Sequence, residues 1–551
     1  MTAPRKFVAI TMWLVLCSGC APLVQAQATP RAAALYPIAG TLTDSVTGDP
    51  IFGATVTLLT ERPRAAIQTT ITDSQGHFAL KHVPAGKYAL IAQRRGYLAA
   101  AFDQHEEYSS AIVTGEGQDA AHIPFHLDPE AQMEGTITDD AGDPVDGATV
   151  VLLRRTNAGG FGDRLIHMRP TQTDDTGQFE LWNLYPGDYY VAVTASPWYA
   201  LHPTALDETN VASDQQRASV VALDVAYPIT WYDGTADEQA AATIHLAPGD
   251  TGEANVTLHA VPALHLMVHL PGESANQRLF ADLQRSLMGQ AGLAPNIHSR
   301  EGPPGSGTVE FTGVAPGHYT VSWGEPAHLA DIDSADSQEI DLAAGTATAN
   351  TKLQFKMADG SPLPKDLRIF MAEATAHNHF FTGTTDEKGV AQFVSVPPGR
   401  WIIDATTADN VVYGVTAIQA GGKVKTDDIF DITGQQAAAT VLLVQGKTRI
   451  DGFAFQNGKG KPGTMILLVP KNSDAHMPNL RRDQADSDGS FSLPSVVPGD
   501  YTVVAIQDGW GLEFFDAKVI ARYLARGTPV TVTDKSGPAL QLAAPVEVQP
   551  R

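Results

Sequence analysis

At 551 residues the chain is too long for one hydrophobic core, and about 100–200 residues per domain predicts roughly three to five domains. Its 43% hydrophobic and 18% charged residues, with 49 glycines and 36 prolines, are the composition of a folded, turn-rich protein. The 61 acidic against 37 basic residues give a formal net charge of −24 with no basic face or run, which excludes the electrostatic footprint of a nucleic-acid binder.

The N-terminus reads as an export signal over residues 1–28. Arg5 and Lys6 form a short positive region, the apolar run Phe7 to Leu16 follows, and small residues offer cleavage at Val24-Gln25-Ala26 or Ala26-Gln27-Ala28. The run is too short for a spanning helix, and no later stretch approaches the ~20 apolar residues that crossing a bilayer needs. Cys17 and Cys20 are the two cysteines of the chain, so once this segment is removed no internal disulfide can form. Leu16-Cys17-Ser18-Gly19-Cys20 also resembles a bacterial lipobox, with Cys17 where the usual leucine stands. Lipidation at Cys20 and ordinary cleavage near Ala26 or Ala28 therefore both stay open.

Beyond the signal, a phrase of the form Pro-Gly-x-Tyr returns along the chain. It stands as Pro84-Ala85-Gly86-Lys87-Tyr88, Pro186-Gly187-Asp188-Tyr189, Pro316-Gly317-His318-Tyr319, Pro398-Gly399-Arg400-Trp401 and Pro498-Gly499-Asp500-Tyr501. A spacing of about 80–130 residues is the length of one small domain, so the chain reads as five tandem modules. Their expected bounds are 35–129, 130–259, 260–350, 351–445 and 446–545.

Module one carries Gly40-Thr41-Leu42-Thr43-Asp44, Gly53-Ala54-Thr55-Val56, the turn Thr72-Asp73-Ser74-Gln75-Gly76 with Phe78, and then Tyr88. Module two repeats this order with Gly135 to Asp139, the β-branched run Gly147 to Leu153, the turn Thr173 to Gly177, and Phe179 alternating with Leu181. Its Tyr189, Val191 and Val193 follow at period two and should face a core. Module three is the most degenerate, keeping Gly307 to Phe311 and the terminal turn. Module four keeps Thr385-Asp386-Glu387-Lys388-Gly389 and Phe393, and module five keeps Gly463 to Ile466, Asp486 to Phe491 and Tyr501. Short alternating strands between turn signals predict antiparallel β-sandwiches. Residues 278–288 fit a helix or a strand, with the strand favoured, and Phe514 to Arg526 is the candidate for a short helix.

The order Gly-x-Ile/Leu-x-Asp, Pro-x-x-Gly-Ala-x-Val, Asp-x-x-Gly-x-Phe and Pro-Gly-x-Tyr resembles the carboxypeptidase regulatory-like domain. The resemblance is strongest in modules one and two, good in five and weaker in three and four. It implies an all-β chain, a tandem array of about five antiparallel Ig-like or transthyretin-like sandwiches of the carbohydrate-binding-like fold group. In metallocarboxypeptidases this domain is an accessory without chemistry of its own, so the resemblance implies no peptidase activity.

The residues themselves name no catalytic set, metal or cofactor. His298-Ser299-Arg300-Glu301 has a carboxypeptidase-like spacing but no third ligand, and His377-Asn378-His379 puts two imidazoles on one strand face without a carboxylate or Cys partner. Asp486-Ser487-Asp488-Gly489 has the first ligands of a calcium loop without its distal Glu, and Asp174-Asp175 and Asp386-Glu387 are similar fragments. All three suit hairpin turns. The crosslinking domains of Cna type, which share this look, usually carry a Glu four residues after the repeat tyrosine. Here Ala92, Val193, Trp323, Ala405 and Ala505 stand there, which speaks against a crosslink.

An aromatic set remains. Nine residues after the repeat tyrosine stand Tyr97, Trp198 and Trp510, with Tyr199, Trp231, Tyr232, Phe514 and Phe515 nearby. Rings at sandwich ends can stack on sugar faces or plug the sandwich against the next module. The expectation is a non-catalytic exported protein of the cell envelope or surface, with polysaccharide the first ligand class and Tyr97, Trp198, Tyr199, Trp231, Tyr232 and Trp510 the stacking candidates. The alternative is a spacer or scaffold contacting envelope proteins with no small ligand. A hydrolase assembled across modules ranks last. No nucleic acid and no membrane span are expected, and a lipid anchor would sit at Cys20.

Overall fold

The structure, a computed structural model, describes residues 34–60, 64–156, 164–203, 221–271, 281–293, 297–303, 306–324, 327–342, 345–374, 380–471, 479–533 and 535–551. The export segment with Cys17 and Cys20, and His377-Asn378-His379, lie outside the described residues. No helix among those described is long and apolar enough to cross a membrane.

The same sandwich is built five times. In the first, strand Leu35–Asp44 pairs antiparallel with His77–Pro84 on one side and parallel with Ile123–Leu127 on the other. The facing sheet runs Ala66–Ile71, Thr55–Thr60, Gly86–Gln93 and Ala100–Ala101, with Ile112–Thr114 also on Gly86–Gln93. Period-two alternation turns Ile38 and Leu42 of one sheet and Val56, Leu58 and Leu90 of the other into a shared core. Each such side chain contributes about 1.5–3 kcal/mol on burial.

The opening strand of every later module repeats this double pairing. Ala131–Asp139 takes Gln178–Leu184 antiparallel and Thr251–Glu253 and Val256–Leu258 parallel. Leu264–His269 takes Thr308–Val314 and Gln338–Asp341, and Ala349–Met357 takes Val390–Val396 and Gln436–Gln445. Thr448–Gln456 takes Ser490–Val496, then Ala539–Gln541 and Val546–Gln549. Closing a module by adding its last strand parallel to its first brings the exit of one sandwich to the entrance of the next. Modules four and five each join their strands into one nine-stranded sheet, because Val412–Ala420 pairs with both Gly399–Thr406 and Gln436–Gln445, and Val546–Gln549 pairs with both Thr448–Gln456 and Gly499–Ile506.

The repeated phrases acquire physical reasons. A Cβ at Gly40 would stand 2.1 Å from the Ile123 carbonyl oxygen and 2.9 Å from the Phe78 ring, and one at Gly135 would meet Ala254 and Phe179 at the same distances. The motif glycine lets the motif phenylalanine and the parallel strand approach together. The repeat aromatic closes its own turn four residues back. The hydroxyls of Tyr88, Tyr189, Tyr319 and Tyr501 donate to the carbonyls of Pro84, Tyr185, Ala315 and Val497 at 3.1, 2.5, 2.7 and 2.9 Å. Trp401 keeps the bond with its indole N–H, to Pro397 at 3.0 Å. All five rings are buried, so the bond lets a large side chain enter the core without stranding its polar atom.

Five buried clusters mark five cores. Ala349 packs into the fourth core and Val546 and Val548 into the fifth, since each lies on a strand that pairs within that module. Ala281–Leu287 is a strand, and Ala517–Leu524 is an α-helix of eight residues, its Asp516 cap accepting from the Lys518 N–H.

Candidate functional site

The position nine residues past the repeat tyrosine serves three different ends. Tyr97 is half-buried, packs on the first core and donates to the Asp44 carboxylate at 3.1 Å. Trp198 is 88% exposed and stands edge-on to Tyr199, ring centroids 5.7 Å apart. Trp510 is 8% exposed, donates to the Gly463 carbonyl at 3.2 Å and stacks on His105 at 5.0 Å with 10° between planes. Trp231 is 1% exposed and packs with Val151, Leu153 and Leu287 where modules two and three meet. Tyr232 is half-buried on the second core. The rings of Trp231 and Trp510 are therefore enclosed by protein and offer a sugar no free face. Their size serves packing at junctions, where a flat ring covers more area than an aliphatic side chain.

His298 and Glu301 sit on an exposed strand, and an odd separation puts them on opposite faces. Among the described residues no group of three His, Cys, Asp or Glu can hold a metal ion. The Asp-rich turns satisfy themselves or a neighbour. Asp174 accepts from the Thr176 hydroxyl and from the Thr176 and Gln178 N–H groups, which hold its carboxyl below the usual range. Asp386 does the same with the Val390 and Lys388 N–H groups.

Asp486 behaves otherwise, and leads to what the sequence reading missed. Its carboxylate accepts from the Ala111 N–H at 2.9 Å and from the Lys87 ammonium at 2.5 Å, both in module one. The first module is thus docked on the last. Ser487 N–H donates to the Ala111 carbonyl and its hydroxyl accepts from the Val113 N–H, so one residue clasps two positions of module one. The Ser110 hydroxyl donates to the Ala485 carbonyl at 2.8 Å, and buried Gln484 reaches Ser110, His105 and the Asp103 carbonyl. Arg482, 7% exposed, bonds Glu106 and Glu107 at 2.7 and 2.8 Å while its guanidinium lies 4.6 Å over the Tyr108 ring. The signal was a broken repeat. Thr72 and Thr173 precede the turn aspartate and bond their own modules, accepting from the Ala54 and Ala148 N–H groups. Module five has Ala485 there.

Other junctions are polar too. Asp224 bridges His202 and His265 between modules two and three, at 2.9 and 2.5 Å. The Ala327 N–H donates to Ser395 between modules three and four. Behind the junction of the first and last modules, a cleft of about 1180 Å³ opens between modules one, four and five.

The carboxypeptidase regulatory-like domain matches residues 37–122 and 132–224, the first two sandwiches. No curated protein matches the chain. Among solved structures, the Bacillus anthracis TIE protein is 12% identical over 76% of each chain, with a TM-score of 0.18. GBS52, the minor pilin of Streptococcus agalactiae, is 13% identical over 41% of this chain and 97% of its own, at 0.21. The shaft pilin SpaA of Lactobacillus rhamnosus GG is 12% identical over 42% and 98%, at 0.20. The chain is a multi-module β-sandwich protein whose first two modules match the carboxypeptidase regulatory-like domain.

Proposed function

We propose that this is a non-catalytic binding protein of the cell envelope or surface, exported by its N-terminal segment and, where Cys20 is lipidated, held there by a lipid anchor. Polysaccharide is its ligand class. The observation that carries the reading is the Trp198–Tyr199 pair, an indole 88% exposed and braced edge-on at 5.7 Å. Exposing so large an apolar ring forgoes burial that Trp231 and Trp510 obtain at equivalent module ends, and a sugar's C–H face would restore it. Tyr97 and Tyr232 lend support at sandwich ends and have no comparable exposure. The second reading, a scaffold for envelope proteins, draws on the polar junctions that hold the modules together. A simple linear spacer is less well supported, since a spacer needs its ends apart and here the first module lies on the last.

The test is binding of the mature chain to a polysaccharide panel. Binding that falls at least tenfold in Trp198→Ala with the melting temperature unchanged supports the reading. No glycan bound, or equal binding by wild type and Trp198→Ala, removes it and leaves the scaffold.

A further inference from the structure

The cleft between modules one, four and five is lined by three arginines. Module one supplies Arg64, Tyr108 and Ser109, module four the turn Asp409 to Val412, and module five Arg481, Arg482 and Phe515. Its volume of about 1180 Å³ lies just above the roughly 300–1,000 Å³ of small-ligand pockets, room for a few sugar units.

The charges in this cleft are unevenly satisfied. Each of its acids already accepts from a protein donor: Glu107 from Arg482 at 2.8 Å, Asp486 from Lys87 at 2.5 Å, Asp483 from the Ser492 N–H at 2.7 Å, and Asp409 from the Thr407 hydroxyl at 2.6 Å. Two of the three guanidiniums have no carboxylate in contact among the described residues. Arg481 donates to the neutral carbonyls of Leu480 and Ser495, at 2.8 and 3.3 Å. Exposed Arg64 has neither a hydrogen-bond nor an ion-pair partner there. The unanswered groups are thus cationic forks, which match carboxylates two N–H groups at a time.

The walls add a second preference. Tyr108 and Phe515 are half-buried rings on the cleft wall, backed by Arg482 and Phe514, and their apolar surface complements the C–H side of a pyranose. Ser109, Asn410 and Ser492 add donors and acceptors suited to hydroxyls. A peptide of acidic residues alone would answer the arginines but bring no flat apolar face. We propose that this three-module cleft binds a uronic-acid oligosaccharide, its carboxylate held by Arg64 and Arg481. The proposal rests on the polysaccharide reading above and gives it a site separate from Trp198. Because the cleft is walled by module one docked on module five, such a ligand also stabilises that docking.

Titration calorimetry of the mature chain with trigalacturonate, neutral maltotriose and a hexaglutamate peptide tests this. Trigalacturonate is expected to bind, maltotriose at least tenfold more weakly. Arg64→Gln should weaken trigalacturonate at least tenfold at an unchanged melting temperature, with Arg481→Gln acting in the same direction. Trp198→Ala should leave that binding intact even where it abolishes binding to the panel, so the two sites fail separately. No trigalacturonate binding, equal affinity for maltotriose, equal affinity for hexaglutamate, indifference to Arg64→Gln, or loss in Trp198→Ala would each overturn the assignment.

Discussion

Asp174 and Asp486 occupy the same place in the same turn, in modules two and five. Asp174 folds its carboxylate back on Thr176 and Gln178 and so completes its own hairpin. Asp486 turns its carboxylate to Lys87 and Ala111 of the first module. One turn stabilises a local loop, and the other joins sequence positions nearly four hundred residues apart. The same split separates Trp198, in solvent, from Trp510, under His105 and Arg482. Equivalent positions in a tandem array share geometry, and their tasks depend on which module lies opposite.

The sharpest test of that contrast is the tryptophan pair. Trp510→Ala removes an enclosed ring at a junction and should cost about 3–5 kcal/mol, read as a lowered urea midpoint for module five. Trp198→Ala should stay within about 0.5 kcal/mol. Equal effects would mean the exposed ring is packed in solution.

The aspartates come next. Asp486→Ala leaves the Lys87 ammonium and the Ala111 N–H without this acceptor and should cost about 2–3 kcal/mol. It should also raise amide hydrogen exchange over residues 103–113. Asp174→Ala acts within one exposed turn and should cost about 0.5–1.5 kcal/mol, leaving exchange in module one unchanged. If Asp486→Ala leaves residues 103–113 protected, the docking does not depend on that carboxylate.

Alkaline pH probes the cores instead of the junction. Burial pushes the Tyr227 and Tyr501 hydroxyls up to about 12. An unfolded tyrosine loses its proton near pH 10 while the folded one keeps it. The unfolded state then binds fewer protons, so stability is full below about pH 10 and falls as pH rises toward 12. Tyr501→Phe should flatten that fall in module five, and an unchanged profile would exclude Tyr501 as its source. At neutral pH a small change is expected from Tyr189→Phe, which forfeits the bond to the Tyr185 carbonyl but keeps the ring, about 1 kcal/mol.

Much of each sandwich was legible because its determinants are local. The alternation of Tyr189, Val191 and Val193 predicts a half-buried strand, and Gly187–Thr194 buries those side chains. The strand over Ala281–Leu287 and the helix over Ala517–Leu524 were also readable from pattern. The aromatic set was readable as a position but not as a role. Nothing within nine residues of Trp198 or Trp510 says whether a ring meets water or another module. The arginines of the cleft were invisible, since Arg64 and Arg481 converge only after three modules are placed.

By itself, then, the sequence determined five β-sandwich modules, their turns and their aromatic corners, since period-two burial and turn stereochemistry act over a few residues. Only the tertiary structure decided that module one docks on module five, that the Asp486 carboxylate reaches across to module one, and that a cleft opens between three modules. Those outcomes depend on contacts between distant surfaces, and Asp73, Asp174, Asp386 and Asp486 stand in the same pattern until a partner faces one of them.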